Sequence, residues 1–198
     1  ENYIARQNIR IKGSHLVIRG FRTSGSPLSS VEIRPEATGI LLYGLVVTNA
    51  AQHGVAVYGK DVRVENCAIN NNVLSNENEK ATSWGSGLKV AAGGERVTLA
   101  RNFVHGNWGE GIAVTRGIDV KVIGNRVADN YSVNIYIDNS SSVDVVGNYC
   151  YSTDGSLVRR NGHRPTGIAA AEEEYVTDGV WWGNKLNNLR VVNNVTNK

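Results

Sequence analysis

Apolar and polar residues alternate in short runs along almost the whole chain. In residues 111–130, GIAVTRGIDVKVIGNRVADN, Ile112-Ala113-Val114 is one such run and a turn follows at Thr115-Arg116-Gly117. Val120-Lys121-Val122 is the second run, and Arg126-Val127-Ala128 the third, ending at Asp129-Asn130. Each run is too short for a helix, and strict alternation marks a strand with one buried face. A unit of three such strands cannot hide its own apolar side. It needs copies above and below.

The copies are there. The Val120 position recurs at Val97 and Val143, each 23 residues away, and at Leu189, 46 residues beyond Val143; Val62 and Ile40, 22 apart, occupy the same place upstream. The Gly-Ile-Ala-Val run recurs as Gly54-Val55-Ala56-Val57, Gly87-Leu88-Lys89-Val90, Asn134-Ile135-Tyr136-Ile137 and Gly167-Ile168-Ala169-Ala170, with Val31-Glu32-Ile33 as a first member. Self-similarity at this period, with three short strands per repeat, predicts a solenoid. Asn102, Asn125, Asn148 and Asn194 form a column at the repeat spacing, as do Asn107 and Asn130. Stacked Asn amides can hydrogen-bond along the axis, and Asn tolerates a left-handed corner.

With these pieces the chain, from Ile9 to Val195, resembles the right-handed parallel β-helix repeat proteins of the pectate-lyase-like superfamily. The resemblance implies an all-β, single-stranded parallel β-helix of about seven coils of 22–23 residues. A leucine-rich horseshoe would need a Leu and Asn spacing that is absent. Members of the superfamily usually begin with further coils and a helical cap, neither of which is visible here.

Composition fits one domain over 1–198, with 41% hydrophobic residues for a long thin core. Gly is frequent (22) and Pro scarce (3), as tight corners without strand breakers require. The net charge of +3 is mild, and no basic block or recognition helix suggests nucleic acid. No apolar run is long enough to span a membrane. The chain has no Met and starts at Glu1, so a processed or partial chain is expected, and its first coil is expected to be open. Cys67 and Cys150 fall in different columns several coils apart and read as small apolar fillers. The sequons at Asn130, Asn139 and Asn194 carry little weight in an Asn-rich chain.

Three insertions interrupt the repeat, at 73–86, 151–166 and 172–188. The first is acidic and polar; the second is basic at Arg159, Arg160, His163 and Arg164; the third is acidic at Glu172-Glu173-Glu174, then aromatic at Trp181-Trp182. The first two enter before a Gly-Ile-x-Val strand and the third at the following corner. Insertions on one side of a solenoid often build its binding face. The charged segments read as solvated loops, and the Trp pair as cover for a solenoid flank or a partner contact.

Trp84, Trp108 and Tyr131 each stand three residues before a Gly-Ile-x-Val start, which predicts an aromatic ladder suited to sugar rings or, equally, to padding a corner. Asn107 and Asp129 are polar neighbours that would complete a sugar-binding groove. His105 and Glu110 flank the loop HGNWGE as a candidate base and acid, with Lys89 beside them to meet a sugar carboxylate. By the resemblance, calcium-dependent or aspartate-based activities would need clustered acids on the outward positions of the Gly-Ile-x-Val strands. Those positions instead read Glu32, Ala56, Lys89, Ala113, Tyr136 and Ala169, then Arg34, Tyr58, Ala91, Thr115, Asp138 and Ala171. The Asp-Pro-His motif of alginate epimerases is also absent. No metal-ligand spacing or phosphate loop implies a cofactor.

Three functions stay open. The first is an extracellular or cell-surface solenoid that binds polysaccharide or another glycan without catalysis. The second is a structural or adhesive solenoid that self-assembles through its terminal coils. The third is a polysaccharide lyase or glycoside hydrolase using His105, Glu110 and Lys89. The residues favour a non-catalytic role over an enzyme.

Overall fold

The computed structural model describes residues 4–81, 84–154, 157, 162, 165–177, 180–182 and 185–197. The alternating runs fold into three parallel sheets of eight, seven and seven strands. One coil contains the strands Glu110–Thr115, Ile118–Ile123 and Arg126–Ala128. These lie in what we term the second, third and first sheets, and each pairs with its counterpart in the coils on either side. The observed register matches the repeat. Val62, Val97, Val120, Val143 and Leu189 are Cα partners down the third sheet.

Inward positions stack like on like. Val31, Val55, Leu88, Ile112 and Ile135 follow one another down the second sheet, and Val47, Ile69, Val104, Val127 and Cys150 down the first, almost all without solvent contact. Near-continuous aliphatic stacks are what parallel strands need, because burial supplies the drive and identical neighbours keep one register. Outward on the third sheet, Lys60–Glu95, Asp61–Arg96 and Asp144–Arg190 pair across adjacent coils at 2.8, 2.6 and 2.7 Å. Exposed pairs of this kind select register more than they add stability.

Buried amides close the corners. The Asn102 backbone N–H and its Nδ2 both donate to Asn125 Oδ1, at 2.9 and 3.1 Å; Asn125 does the same to Asn148, and Asn148 to Asn194. Cys67 occupies the next place upstream. Its N–H donates to Asn102 Oδ1, and its sulfur accepts from the Leu45 N–H at 3.4 Å, so it serves as a ladder member besides filling space. Cys150 is buried in the core stack, and neither thiol is bonded to the other. A second column runs from Asn72 through Asn107 to Asn130 and ends on Asn134.

The Gly of Gly-Ile-x-Val exists for this second column. A Cβ on Gly111 would sit 2.6 Å from Asn130 Nδ2, and one on Gly87 would sit 2.5 Å from Asn107 Nδ2. The left-handed backbone, in contrast, does not fall on the column Asn. It falls one residue earlier, at Asn66, Arg101, Gly124, Gly147 and Asn193, all with φ between 53° and 65°. The buried Asn is chosen for its amide.

Other differences from the sequence reading are local. Strands Ile4–Ala5, Ile9–Ile11, Val17–Arg19 and Arg22–Ser24 precede the first run picked out above, at Val31, and Val195–Asn197 follows the last, at Leu189. Ser86, Tyr151, Thr166, Asn187 and Asn188 belong to the coil strands and not to the insertions. The first insertion holds a 3-10 turn at Leu74–Asn76, and the third a hairpin of Tyr175–Thr177 with Val180–Trp182. Arg159, Arg160, His163 and Arg164 lie outside the described residues, as do the side chains of Trp181 and Trp182. Asn130 and Asn139 are buried, and Asn194 spends its amide in the ladder, so the sequons are unavailable in the folded chain. Among the described residues no helix is long and apolar enough to cross a membrane.

Replacing Asn125 with Leu strands the two Asn102 donors and takes one donor from the Leu99 carbonyl, while Asn148 Oδ1 keeps the backbone N–H of residue 125; each buried group left unpaired costs about 1–3 kcal/mol. Urea unfolding should show a loss of at least ~3 kcal/mol. The same change at Asn194, which is less buried and lies at the end of the column, should cost clearly less.

Candidate functional site

The first insertion is held to the coil before it by the N–H groups of Val73, Leu74 and Ser75, which donate to Gln52, Ala50 and Ala51, and to the coil after it by Asn76. Asn76 is fully buried, donates its amide to the Trp108 carbonyl at 2.7 Å and accepts from the Ala81 N–H. The returning chain meets the next coil at Gly85, where a Cβ on Gly109 would lie 1.9 Å from the Gly85 carbonyl oxygen. Only backbone fits between the two loops. This contact delivers Trp84 and Glu110 to one edge of the second sheet's outer face. Trp84 Nε1 donates to Glu110 Oε1 at 2.8 Å, and Ser86 Oγ to Glu110 Oε2 at 3.0 Å. Ser86 is itself fixed by its N–H, which donates to His53 Nδ1 at 2.9 Å.

Across that face the chain leaves a gap. Lys89, Ala113 and Tyr136 are Cα partners on three successive strands. The Cα atoms of Lys89 and Tyr136 therefore stand about 10 Å apart, two strand spacings, with the buried Ala113 methyl between them. The far edge is closed by Thr115, Arg116 and Asp138, and by Glu173 from the third insertion. The Tyr136 hydroxyl donates to Glu173 Oε1 at 2.6 Å, and the Glu173 N–H donates to Asp138 Oδ1 at 3.0 Å. The result is a cleft of about 260 Å³ walled by charge.

Burial moves the protonation equilibria towards one another. It pushes the Glu110 carboxyl up, against the hydrogen bonds from Ser86 and Trp84 and the charge of Lys89. It pushes the Lys89 ammonium down, against Glu110 and Asp138. Tyr136 is raised by burial and by its bond to Glu173, and Asp138 is raised by burial. His53, beneath Gly85, is lowered to about 4 by burial and by Lys89. An acid and a base whose environments bring their proton affinities together can exchange protons with a substrate near neutral pH. Among the described residues, no three His, Cys, Asp or Glu side chains group as metal ligands do.

Three of the residues singled out from sequence, Trp84, Lys89 and Glu110, line this one cleft. The others do not join them. His105 ends a strand of the first sheet, stacks on Phe103 at 4.2 Å and does not line the cleft that holds Glu110. Asn107 has no solvent contact, because its amide belongs to the buried column, and it presents nothing to a ligand in the groove. Tyr131 is 5% exposed; its ring meets Trp84 edge-on at 5.3 Å and Trp108 at 6.1 Å. The expected ladder is thus a cluster about a buried tyrosine. Asp129 accepts from the Thr153 N–H and hydroxyl at 2.7 and 2.9 Å.

Sequence reasoning missed Arg116, Tyr136, Asp138 and Glu173 as site residues. A signal existed in the outward column Lys89, Ala113, Tyr136, where a methyl between two long side chains makes a slot. Glu173 had none, since an acidic triplet reads as a solvated loop.

Fold and site together define a solenoid of parallel β-coils with a charged cleft on one sheet. The chain matches the right handed beta helix region over residues 7–196 and belongs to that family. No curated protein sequence matches it. Among solved structures it is similar to the A-module of the Azotobacter vinelandii mannuronan C-5 epimerase AlgE6 (TM-score 0.65, 17% identity, covering 97% of this chain and 49% of that one). It is also similar to the A-module of the AlgE4 enzyme of that organism (TM-score 0.51, 15% identity, 92% and 55%). The Dettilon tailspike protein gp208 aligns with TM-score 0.52 and 15% identity over 84% of this chain and 46% of that one. The chain thus spans about half the length of these structures.

His53 gives a pH test of the geometry. Its folded value of about 4 lies below the ordinary 6.5, so the folded state resists protonation and stability is lost as pH falls from 6.5 towards 4. The loss is on the order of 3 kcal/mol. Chemical denaturation at pH 7 and pH 4.5 should show it, and His53→Gln should remove most of the difference.

Proposed function

We propose that this protein is a carbohydrate-active β-helix, working outside the cell, that takes an acidic polysaccharide into the cleft over Ala113 and moves a proton on a uronate sugar. The observation that carries the reading is the convergence of Lys89, Glu110 and Tyr136 on one slot, with the proton affinities of Glu110 and Lys89 drawn together by burial. The fold likeness to two mannuronan C-5 epimerase modules supports a saccharide substrate by analogy of fold alone.

The chemistry follows from the groups. Lys89 and Arg116 meet the sugar carboxylate and stabilise negative charge on it. The carbon beside that carboxylate gives its proton to Glu110, and the electron pair of the broken C–H bond spreads onto the carboxylate. Tyr136, across the slot and backed by Glu173, returns a proton to the same carbon, which inverts it. Expulsion of the neighbouring glycosidic oxygen in place of that return would cleave the chain.

Incubation with uronate polymers in D2O tests this directly. Deuterium should appear at the carbon next to the carboxylate, and Lys89→Ala, Glu110→Gln and Tyr136→Phe should each slow the exchange by about 100-fold or more. Ala113→Leu should fill the slot and abolish binding, with the circular dichroism unchanged. The activity should need ionised Glu110 and charged Lys89. It therefore falls on the acid side at a pH above the ordinary Glu range, and on the alkaline side below the ordinary Lys range. Lys89→Arg should extend the alkaline limb. Binding without exchange would make the protein a non-catalytic polysaccharide module, and absence of binding to any uronate polymer would sink the reading.

A further inference from the structure

The cleft is one end of a longer track. Arg10, Glu32, Ala56 and Lys89 are Cα partners on four successive strands of the second sheet, and Arg34 and Tyr58 stand two residues beyond Glu32 and Ala56. Glu32 is buried, while the Arg10 and Arg34 side chains are 53% and 37% exposed. Both guanidinium groups reach the same carboxylate, Arg34 Nη1 at 3.2 Å and Arg10 Nε at 3.4 Å. Arg10 Nε also donates to Asn8 Oδ1 at 2.7 Å, and the Arg34 guanidinium lies 5.8 Å from the centre of the Tyr58 ring. One carboxylate holds two cations, so one positive charge is left over. It sits on planar groups that are anchored on one side and open to solvent on the other.

The excess charge of the chain lies in its first coils, and Arg10 and Arg34 are the part of it on this face. Residues 1–36 hold six Lys and Arg against three Glu, while the full chain holds 21 against 18, so the net +3 lies in the first coils and the remainder is neutral. The cleft itself is of mixed sign, with Glu110, Asp138 and Glu173 beside Lys89 and Arg116. A polyanion gains little attraction there and needs it elsewhere on the same face.

We propose that Arg10 and Arg34, held by Glu32, form an anion subsite for a second acidic group of the polysaccharide that occupies the cleft. Arg34 lies two strand spacings from Lys89 and Arg10 three, about 10 and 14 Å along the axis. Bidentate guanidinium groups recognise carboxylate or sulfate, and the Tyr58 ring offers a face for the sugar between. The inference rests on the reading of the cleft as a uronate site, and it makes the protein a reader of chain length.

Calorimetric titration with uronate trimers and decamers at low salt tests it. The wild type should bind the decamer at least about ten-fold more tightly than the trimer, a difference of about 1.4 kcal/mol. The triple variant Arg10→Gln, Glu32→Gln, Arg34→Gln removes the cations without stranding a buried charge. It should bind both lengths alike at the trimer's affinity, with a shallower salt dependence. Lys89→Ala should weaken both lengths. If the triple variant keeps the preference for the decamer, the subsite is wrong while the cleft stands. A single-stranded nucleic acid that displaces the decamer at equal concentration would also overturn it. If the wild type binds neither length, the cleft reading falls and takes the subsite with it.

Discussion

Buried asparagine amides stacked along the axis set how one coil sits on the next, and every outward side chain takes its place from that stacking. Each amide accepts from the backbone N–H and side chain of the coil before it, and donates to a carbonyl in the core wall. A coil that slipped by one residue would strand these groups in an apolar interior and turn its Val and Ile side chains outward. Gly54, Gly87 and Gly111 belong to the same constraint, because the amides of Asn72, Asn107 and Asn130 occupy the space of their missing Cβ atoms. Where Asn134 stands in place of such a glycine, its own side chain accepts from Asn130 and ends the column. Even Cys67 obeys the rule, with sulfur in the place of an amide oxygen.

From a fixed rise the cleft follows by subtraction. Three strands in register put Lys89, Ala113 and Tyr136 in line, and the small side chain of Ala113 forms the floor of the cleft between the two longer ones. The insertions then close the ends. The first brings Trp84 to fix the Glu110 carboxylate, and the third lays Glu173 against Tyr136. A rigid sheet supplies the floor and loops supply the walls, so the charged groups are held apart without having to fold around a ligand. The cost is borne by burial, which drives Glu110 and Lys89 away from their ordinary proton affinities.

Most of the fold is legible in the sequence because period and alternation are local signals. Val97, Val120 and Val143 announce their register by spacing alone, and the Asn columns announce the axis. The ladder role of Cys67 is hidden, since nothing in the sequence separates a sulfur that accepts hydrogen bonds from one that fills space. The site is legible only in part. Glu110 and Lys89 are visible as charge near a strand, but depth decides which aromatic and polar neighbours are reachable. Tyr131 and Asn107 stand at repeat positions expected of binding residues, Tyr131 is sealed by packing with Trp84 and Trp108, and Asn107 is sealed in the second Asn column. Glu173 enters from a loop 37 residues after Tyr136, a distance over which no periodic pattern helps.

The central claim is that the outer face of the second sheet, and not the aromatic cluster at its corner, holds the sugar. A crystal structure with a bound oligouronate tests it most directly. The account predicts a sugar ring above Ala113, its carboxylate against Lys89 and Arg116, and its chain running along the solenoid axis. A ligand seated on Trp108, or lying across the first or third sheet with Ala113 uncovered, would contradict it.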